Sequence, residues 1–270
     1  MTLNRRHFLI FLGATFGAAA CNKFQSFSPL NSAKLASVLG FQPIQGPIPL
    51  AVEALSTEQQ IKQYSTYEIV DDLVLPEGFT YDVIASWGDP VGNSRFGYNN
   101  DYLALFETGN DEALLSVNFE YISAIPWQQT YQQVIGQALP FREVDQMVRA
   151  AIKTIKDDRV PGLNAYALPD SDPNKAKVKL ICKEALIDQG VGVISLKRSP
   201  DGTWKRTTSP SDRRITGISG LEDGRYLSCT GPATAIFRKT SGQGYVDKLG
   251  DKIIGTFQNC AGGHTPWGTV

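Results

Sequence analysis

Three short polar clusters contain the residue types that can do chemistry in this sequence, and they lie at 96–102, 117–121 and 259–269. The first two offer carboxylate and amide oxygens, the ligands that hard cations such as calcium prefer. The third offers Cys260, and a thiolate is a soft ligand that can bind iron and tune its properties. Together they make metal chemistry the first hypothesis.

Each of these clusters also has a plainer interpretation. Asn100 and Asp101 are typical of an Asx turn, which local chemistry alone favours over a cation site. Asn118 and Glu120 point to the same side of a predicted strand and can hold a metal, but an exposed polar face explains the same pattern. Cys260 lies close to two glycines, which is equally typical of a tight turn around a buried cysteine.

Other familiar kinds of active site are excluded by what the sequence lacks. It contains no P-loop, no G-x-S-x-G, no H-E-x-x-H and no C-x-x-C motif. The only histidines are His7 and His264, so a histidine-rich zinc site or a histidine-based triad is excluded apart from an arrangement around His264. The formal net charge of −1 argues against general nucleic-acid binding.

The first residues are typical of an export signal. Arg5 and Arg6 precede an apolar run at 10–20, which is too short for a comfortable membrane span. Paired arginines followed by Phe-Leu predict recognition by the twin-arginine export machinery, and hence a periplasmic or extracellular protein. Small residues before Cys21 fit either a lipoprotein site, with a lipid anchor on Cys21, or plain cleavage and release.

The pattern along the chain predicts a mostly β protein. We assign a signal segment at 1–21, a tether or N-terminal wrap at 22–70 and a folded domain at 71–270. Alternating apolar residues and turn signals predict short strands, and an apolar stripe at helical period predicts one amphipathic helix over 141–156. The turn-rich stretch 157–177 predicts a surface loop. The predicted strands lie at 73–75, 81–84, 103–106, 114–117, 191–196, 204–206, 226–229, 235–238 and 252–257.

The third cluster closely resembles the signature of the PhoX family of secreted alkaline phosphatases, and other pieces match that family in order. The matching pieces are Asn-Cys-Ala-Gly-Gly at 259–263, Thr-Pro-Trp-Gly-Thr at 265–269, Leu-Pro-Glu-Gly-Phe at 75–79, Phe-Gly-Tyr-Asn-Asn-Asp at 96–101, Val-Asn-Phe-Glu-Tyr at 117–121 and Arg-Ile-Thr-Gly at 214–217. The resemblance runs from about residue 71 to residue 270, and the twin-arginine leader agrees with it.

The resemblance implies a β-propeller enzyme that hydrolyses phosphate monoesters with iron and calcium. It implies that Cys260 is an iron ligand and that Glu120 is a carboxylate ligand, with Asp101 and Asn100 as further metal ligands. Twin-arginine export is consistent with this, because a metal cluster can be loaded before transport. Cations would then offset the charge that develops on the phosphoryl oxygens.

The sequence departs from the family pattern in two ways. Phe119 stands where the family usually has His, so a polar contact there is lost or unneeded. Family members are also much longer, so we expect an incomplete propeller that is inactive or poorly folded alone. Three alternatives remain open at this point: a non-catalytic exported propeller that binds a ligand, the remnant of an interrupted gene, and a cysteine enzyme in which His264 activates Cys260.

Overall fold

The computed structural model describes residues 40–42, 44, 46, 48–49, 55–68, 72–152, 164–232, 234–237 and 249–270. The predicted signal segment 1–21, with Cys21, and residues 22–39 of the predicted tether lie outside the described residues. The chain divides into two compact units, Met1–Asp82 and Val83–Val270. None of the described helices is both long enough and apolar enough to cross a membrane.

The first unit contains the helix α1 (Thr57–Tyr64). Ser56 Oγ accepts a hydrogen bond from the backbone N–H of Gln59, and the Gln59 side chain accepts one from the backbone N–H of Ser56. This reciprocal pair is a capping box, which satisfies amides that the first helical turn leaves free. Residues 76–79 form a turn, in which the backbone N–H of Phe79 donates to the carbonyl of Pro76. The predicted strands at 73–75 and 81–84 are wrong, because these residues join no ladder.

The second unit is built from short antiparallel strands with helices between them. Its described strands are β1 (Pro90–Val91), β2 (Ser94–Arg95), β3 (Asn100–Glu107), β4 (Glu112–Phe119), β5 (Gly190–Arg198), β6 (Trp204–Thr207), β7 (Arg213–Ile215), β8 (Leu227–Ser228) and β9 (Lys252–Ile253). Its described helices are α2 (Ala124–Ile135), α3 (Phe141–Ile152), α4 (Pro173–Ile187) and α5 (Thr234–Phe237), with a 3₁₀ turn at Ala165–Ala167.

The main sheet has the order β3-β4-β5-β6, and β7 pairs with β5 next to the stretch that pairs with β6. All of these pairings are antiparallel. β1 with β2 and β8 with β9 form two smaller two-stranded sheets. The described strands therefore give a mostly β core in open sheets, and the closed ring of a propeller is not shown by them.

One face of the main sheet forms the hydrophobic core. Strand alternation places Val117 and Phe119 of β4 on this face, together with Ile194 and Leu196 of β5. Phe119 is fully buried and meets Phe96 edge to face, with ring centroids 4.8 Å apart. Burying an aromatic or branched side chain of this size contributes about 1.5–3 kcal/mol, so this cluster is a major source of the unit's stability.

A buried ionic network attaches α2 and α4 to β2. Arg95 of β2 contacts the Asp188 carboxylate at 2.6 Å and the Glu184 carboxylate at 3.0 Å. The indole N–H of Trp127 donates to Asp188, and the hydroxyl of Tyr131 donates to Glu184. Burial and then the bond to Glu184 raise the pKa of Tyr131, so its hydroxyl remains a donor. Buried charges are tolerated here because each of them is paired and hydrogen-bonded.

The strands nearest the predicted chemistry are confirmed. The predictions at 103–106, 114–117 and 191–196 fall within β3, β4 and β5. A tight turn at 199–202 joins β5 to β6. The N–H of Ser199 donates to the carbonyl of Thr203 at 2.8 Å, and Gly202 has a φ of 90°, which glycine adopts without strain.

The helical content was underestimated. The predicted helix over 141–156 is confirmed as Phe141–Ile152, and residues 153–163 lie outside the described part. The loop predicted over 157–177 is wrong at its end, because α4 begins at Pro173 with Asp172 as its N-cap. The strand predicted over 235–238 is wrong, since the helix Thr234–Phe237 occupies it. The prediction of a single helix missed α2 and α4.

Candidate metal centre

Three side chains converge at one end of the main sheet. Asp101 lies near the start of β3, Glu120 directly follows β4, and Cys260 lies in the loop after β9. One ligand atom of each residue, two carboxylate oxygens and Sγ, lies within 4.8 Å of the other two. The β3–β4 pairing brings the two carboxylates together, because Asn100 at the start of β3 pairs with Phe119 at the end of β4.

A bulge in β3 shapes this end of the sheet. The register shifts between Asn100 and Leu103, so that Asp101 and Tyr102 together lie opposite the single residue Asn118. An extra residue in one strand bends that strand and redirects its side chains, and bulges are common beside functional sites. Both side chains of the bulge reach the Cys260 loop: a carboxylate oxygen of Asp101 lies within 4.8 Å of Sγ of Cys260, and the hydroxyl of Tyr102 shares a hydrogen bond with His264.

The loop that carries Cys260 follows two anchored residues. The backbone N–H of Gly255 donates to the carbonyl of Ser219, and that of Thr256 donates to the carbonyl of Thr216. The hydroxyl of Thr256 then donates to Oδ1 of Asn259 at 2.8 Å, immediately before the cysteine. Gln258 has a φ of 57°, an unusual value for a residue with a side chain, so the chain turns sharply at this point.

The carboxylates control the protonation of Cys260. Hydrogen bonding to Asp101 and then to Glu120, followed by desolvation and repulsion from both charges, raises the pKa of the Cys260 thiol from 9.0 to about 11. The thiol is therefore protonated at neutral pH without a cation and donates to the carboxylates. A cation bound at the same point lowers the pKa of the thiol, because it favours the thiolate and offsets both negative charges.

The donor set fits a transition-metal cation better than calcium. A thiolate with two carboxylates combines a soft ligand with two hard ones, which suits iron. Calcium takes about six to eight oxygen ligands, and this cluster supplies carboxylates from only two residues. Three protein ligands leave coordination positions open, and the exposure of Asp101 and Cys260 makes the cluster accessible from solvent.

Three of the four predicted ligands thus lie together. The fourth, Asn100, is exposed at the first position of β3, directly before Asp101. The geometry places these side chains, and their role as metal ligands stays a prediction. Two contact residues were not predicted: Tyr102, and Asn118 in its contact with the loop. The available signal was the amide of Asn118 in a largely apolar strand.

Phe119, where the sequence departs from the family pattern, points away from the cluster. It lies in the core face of the sheet, with the Arg214 guanidinium 4.3 Å from its ring centroid. A Cβ on Gly192, which pairs with Val117, would lie 2.8 Å from the Phe119 ring, so the ring occupies the space above this glycine. The departure therefore changes the core and leaves the three clustered side chains untouched.

A separate polar groove of about 370 Å³ lies toward the other end of β4 and β5. Ser195 is among its lining residues, and its hydroxyl donates to the Asp212 carboxylate at 2.6 Å. None of Asp101, Glu120 and Cys260 lines this groove, so the groove and the cluster are separate features of the sheet.

Comparison with known proteins identifies a family for this chain. The family model described as "Alkaline phosphatase PhoX" matches residues 57–270. No curated protein matches the chain in sequence. A solved structure, Pseudomonas fluorescens PhoX in complex with vanadate, a transition state analogue, is 29% identical, with a TM-score of 0.43. The match covers 72% of this chain and 28% of that one, so this chain spans little more than a quarter of that protein.

Proposed function

This chain belongs to the PhoX family of alkaline phosphatases, and we propose that it provides the thiolate and two of the carboxylates of a metal centre that hydrolyses phosphate monoesters. The observation that carries the proposal is the convergence of Cys260, Asp101 and Glu120 within 4.8 Å. Members of this family are metal-dependent, which makes a cation the natural occupant. The identity of the metals, iron on the thiolate and calcium on further oxygen ligands that include Asn100, is part of the proposal.

The protein residues have distinct tasks in this account. Cys260 gives up its proton on loading, and Asp101 and Glu120, which accept hydrogen bonds from the thiol in the empty state, become free to bind the cation. When bound, the metal supplies Lewis-acid stabilisation of charge on the phosphoryl oxygens. The exposed position of the cluster leaves room for an ester group to extend into solvent.

The substrate proposal rests on the family and on one solved relative. That relative holds vanadate, described as a transition state analogue. A phosphate monoester is therefore our proposed substrate. We further propose that the antiparallel path β3-β4-β5-β6 is one blade of a β-propeller, since four strands that pair in chain order are the pattern of a blade.

We propose export through the twin-arginine machinery for the same protein, on the strength of Arg5 and Arg6. The mature protein would then be periplasmic or extracellular, either released or held by a lipid on Cys21. Replacing both arginines with lysine should abolish export of the intact protein. Undiminished export of that variant would instead indicate the general secretion route.

A cysteine nucleophile is less well supported than a metal ligand. Nucleophilic cysteines need a lowered pKa, whereas the carboxylates raise that of Cys260. His264, the candidate base, shares a hydrogen bond with Tyr102 through Nδ1 at 3.2 Å. The alternative of a non-catalytic relative relied on Phe119 and on the greater length of family members. The Phe119 side chain faces the core, which removes the first of these two arguments.

The test is hydrolysis of a chromogenic phosphate monoester by a purified protein of the family's full length that contains this chain, loaded with iron and calcium, because we expect this chain alone to be inactive. We expect turnover that a chelator abolishes and that Cys260→Ala lowers by at least about 100-fold, the upper range for loss of a metal contact. Cys182→Ala, which changes an exposed thiol on α4, is the matched control and should retain activity. Chelator-resistant turnover that a thiol alkylator removes would contradict the proposal in favour of cysteine chemistry.

A further inference from the structure

The Cys260 loop lies against the sheet face opposite the core and is held there by side chains of β3 and β4. Nδ2 of Asn118 donates a hydrogen bond to the carbonyl oxygen of Cys260 at 3.0 Å. Gly262 lies flat against the Tyr102 ring, since a Cβ on that glycine would be 2.3 Å from a ring carbon. The Tyr102 hydroxyl then shares a hydrogen bond with His264.

We propose that Asn118 is a positioning residue of the metal centre: its amide, with Tyr102 against Gly262 as the second contact, fixes the loop so that Sγ of Cys260 faces Asp101 and Glu120. Neither Asn118 nor Tyr102 is assigned as a ligand. They act through the loop backbone. This inference rests on the proposed function, because it specifies how that metal centre is assembled.

The orientation of the Asn118 side chain follows from its partner. A carbonyl oxygen only accepts, so the amide must present its NH₂ group to Cys260. Asn118 is only 6% exposed and lies between Val117 and Phe119, which are both buried. A buried amide that loses its hydrogen-bond partner destabilises the folded state, so the contact is maintained in the metal-free protein.

The position of Asn118 connects two of the three ligands. It is two residues before Glu120, and it bonds the backbone of Cys260 itself, so one side chain sets the distance between the strand ligand and the loop ligand. Asp101 is fixed by the same arrangement, since it lies opposite Asn118 in the bulge. Outer contacts of this kind typically change metal affinity by 10–100-fold.

The test measures binding of Co²⁺ alone to the full chain, by calorimetry and by the sulfur-to-cobalt charge-transfer band. Asn118→Asp keeps the shape but replaces the donor with a carboxylate, and Asn118→Ala removes the group. Ser116→Ala is the matched control, because Ser116 is a buried polar residue on the same strand and the same face, two residues before Asn118. Gly262→Ala pushes the loop away from the Tyr102 ring, because the added Cβ would be 2.3 Å from a ring carbon. This change does not alter the core.

We expect both Asn118 variants and Gly262→Ala to weaken Co²⁺ binding by about 10–100-fold and to weaken the charge-transfer band. Ser116→Ala should bind Co²⁺ as the unmodified protein does. Hydrogen exchange of the metal-free variants should be faster at 257–264 but unchanged in β4 and β5, which shows that the effect is local and not general unfolding. If the Asn118 variants unfold, Gly262→Ala alone decides the question.

Two outcomes separate this inference from the proposed function. If Cys260→Ala abolishes the band while the Asn118 variants and Gly262→Ala bind Co²⁺ normally, the positioning role is wrong and the metal centre stands. If Cys260→Ala itself leaves Co²⁺ affinity and the band unchanged, the metal centre fails, and the positioning role fails with it.

Discussion

The guanidinium of Arg214 lies 4.3 Å from the ring centroid of Phe119, and both side chains are buried on the core face of the main sheet. The guanidinium donates to the backbone carbonyls of Arg95, Ile187 and Gln189, so its position is fixed. The aromatic face therefore meets a cation that has little freedom to move, and a cation–π contact of this kind is favourable. An ionisable ring at position 119 would be placed beside the same charge.

Phe119→His should destabilise this protein without altering the candidate metal centre. The substitution puts a polar ring into the apolar core next to Arg214, and we expect the free energy of unfolding to fall by about 2–4 kcal/mol. Urea denaturation measures the loss, with Phe119→Leu as the apolar control that should lose less. Equal stability of Phe119→His and the unmodified protein would show that the position tolerates polarity.

Asp188→Ala should be among the most destabilising single changes in the second unit. Asp188 is fully buried and accepts hydrogen bonds from Arg95 and Trp127, so its removal leaves a buried cation with one partner fewer. Breaking a buried pair in this way costs about 3–5 kcal/mol. The midpoint of urea denaturation should fall accordingly.

The control for Asp188 is Asp170→Ala, which removes an exposed carboxylate that pairs with Lys175 at 2.9 Å. Surface ion pairs contribute little, because water and salt screen them. We expect hardly any change in the denaturation midpoint for this variant. Similar losses for the two variants would mean that the buried network does not have the structural role assigned to it.

The thiol of Cys260 should titrate far above neutral pH in the metal-free protein. The raised pKa of about 11 predicts that ultraviolet thiolate absorbance of a variant with Cys260 as its sole cysteine rises with a midpoint near that value. Asp101→Asn and Glu120→Gln should each lower the midpoint, because each removes a negative acceptor. A midpoint at or below the ordinary 9.0 would contradict the contacts described.

The sign of the pH effects follows from the same shift. Because the folded-state pKa is raised, the stability linked to this thiol is present below about pH 9 and is lost as pH rises through about 11. Metal loading has the opposite dependence, since it requires the thiolate. Metal affinity should therefore weaken as pH falls, with release of a proton on binding that calorimetry in buffers of different ionisation enthalpy can count.

The strands of the site could be predicted because their pattern is local. Strands β3, β4 and β5 are recognised from the order of apolar and polar residues within each strand. The turn after β5 is recognised from its Pro-Asp-Gly sequence. Helices α2 and α4 were missed for an equally local reason. α2 contains Pro126 among glutamines, and α4 begins inside an Asp-Pro step that is typical of turns, although proline is favoured at the first position of a helix.

The contacts that assemble the site could not be predicted from local pattern. Asn118 and Cys260 are 142 residues apart, and Arg95 is 93 residues from Asp188, so only the folded chain brings each pair together. Glu184 and Asp188 resemble surface carboxylates in the sequence, because charged residues are rarely buried unless paired. The bulge that brings Asp101 and Tyr102 to the same loop likewise depends on pairing with β4.

The central claim is that Cys260, Asp101 and Glu120 bind one cation, and a Co²⁺ titration of the purified chain followed by absorbance tests it most directly. We predict a sulfur-to-cobalt charge-transfer band that saturates at one equivalent, disappears in Cys260→Ala and weakens in Asp101→Asn and Glu120→Gln. The band should persist in Cys21→Ala, Cys182→Ala and Cys229→Ala. A band that persists in Cys260→Ala, or that disappears when any of the other three cysteines is replaced, would contradict the assignment.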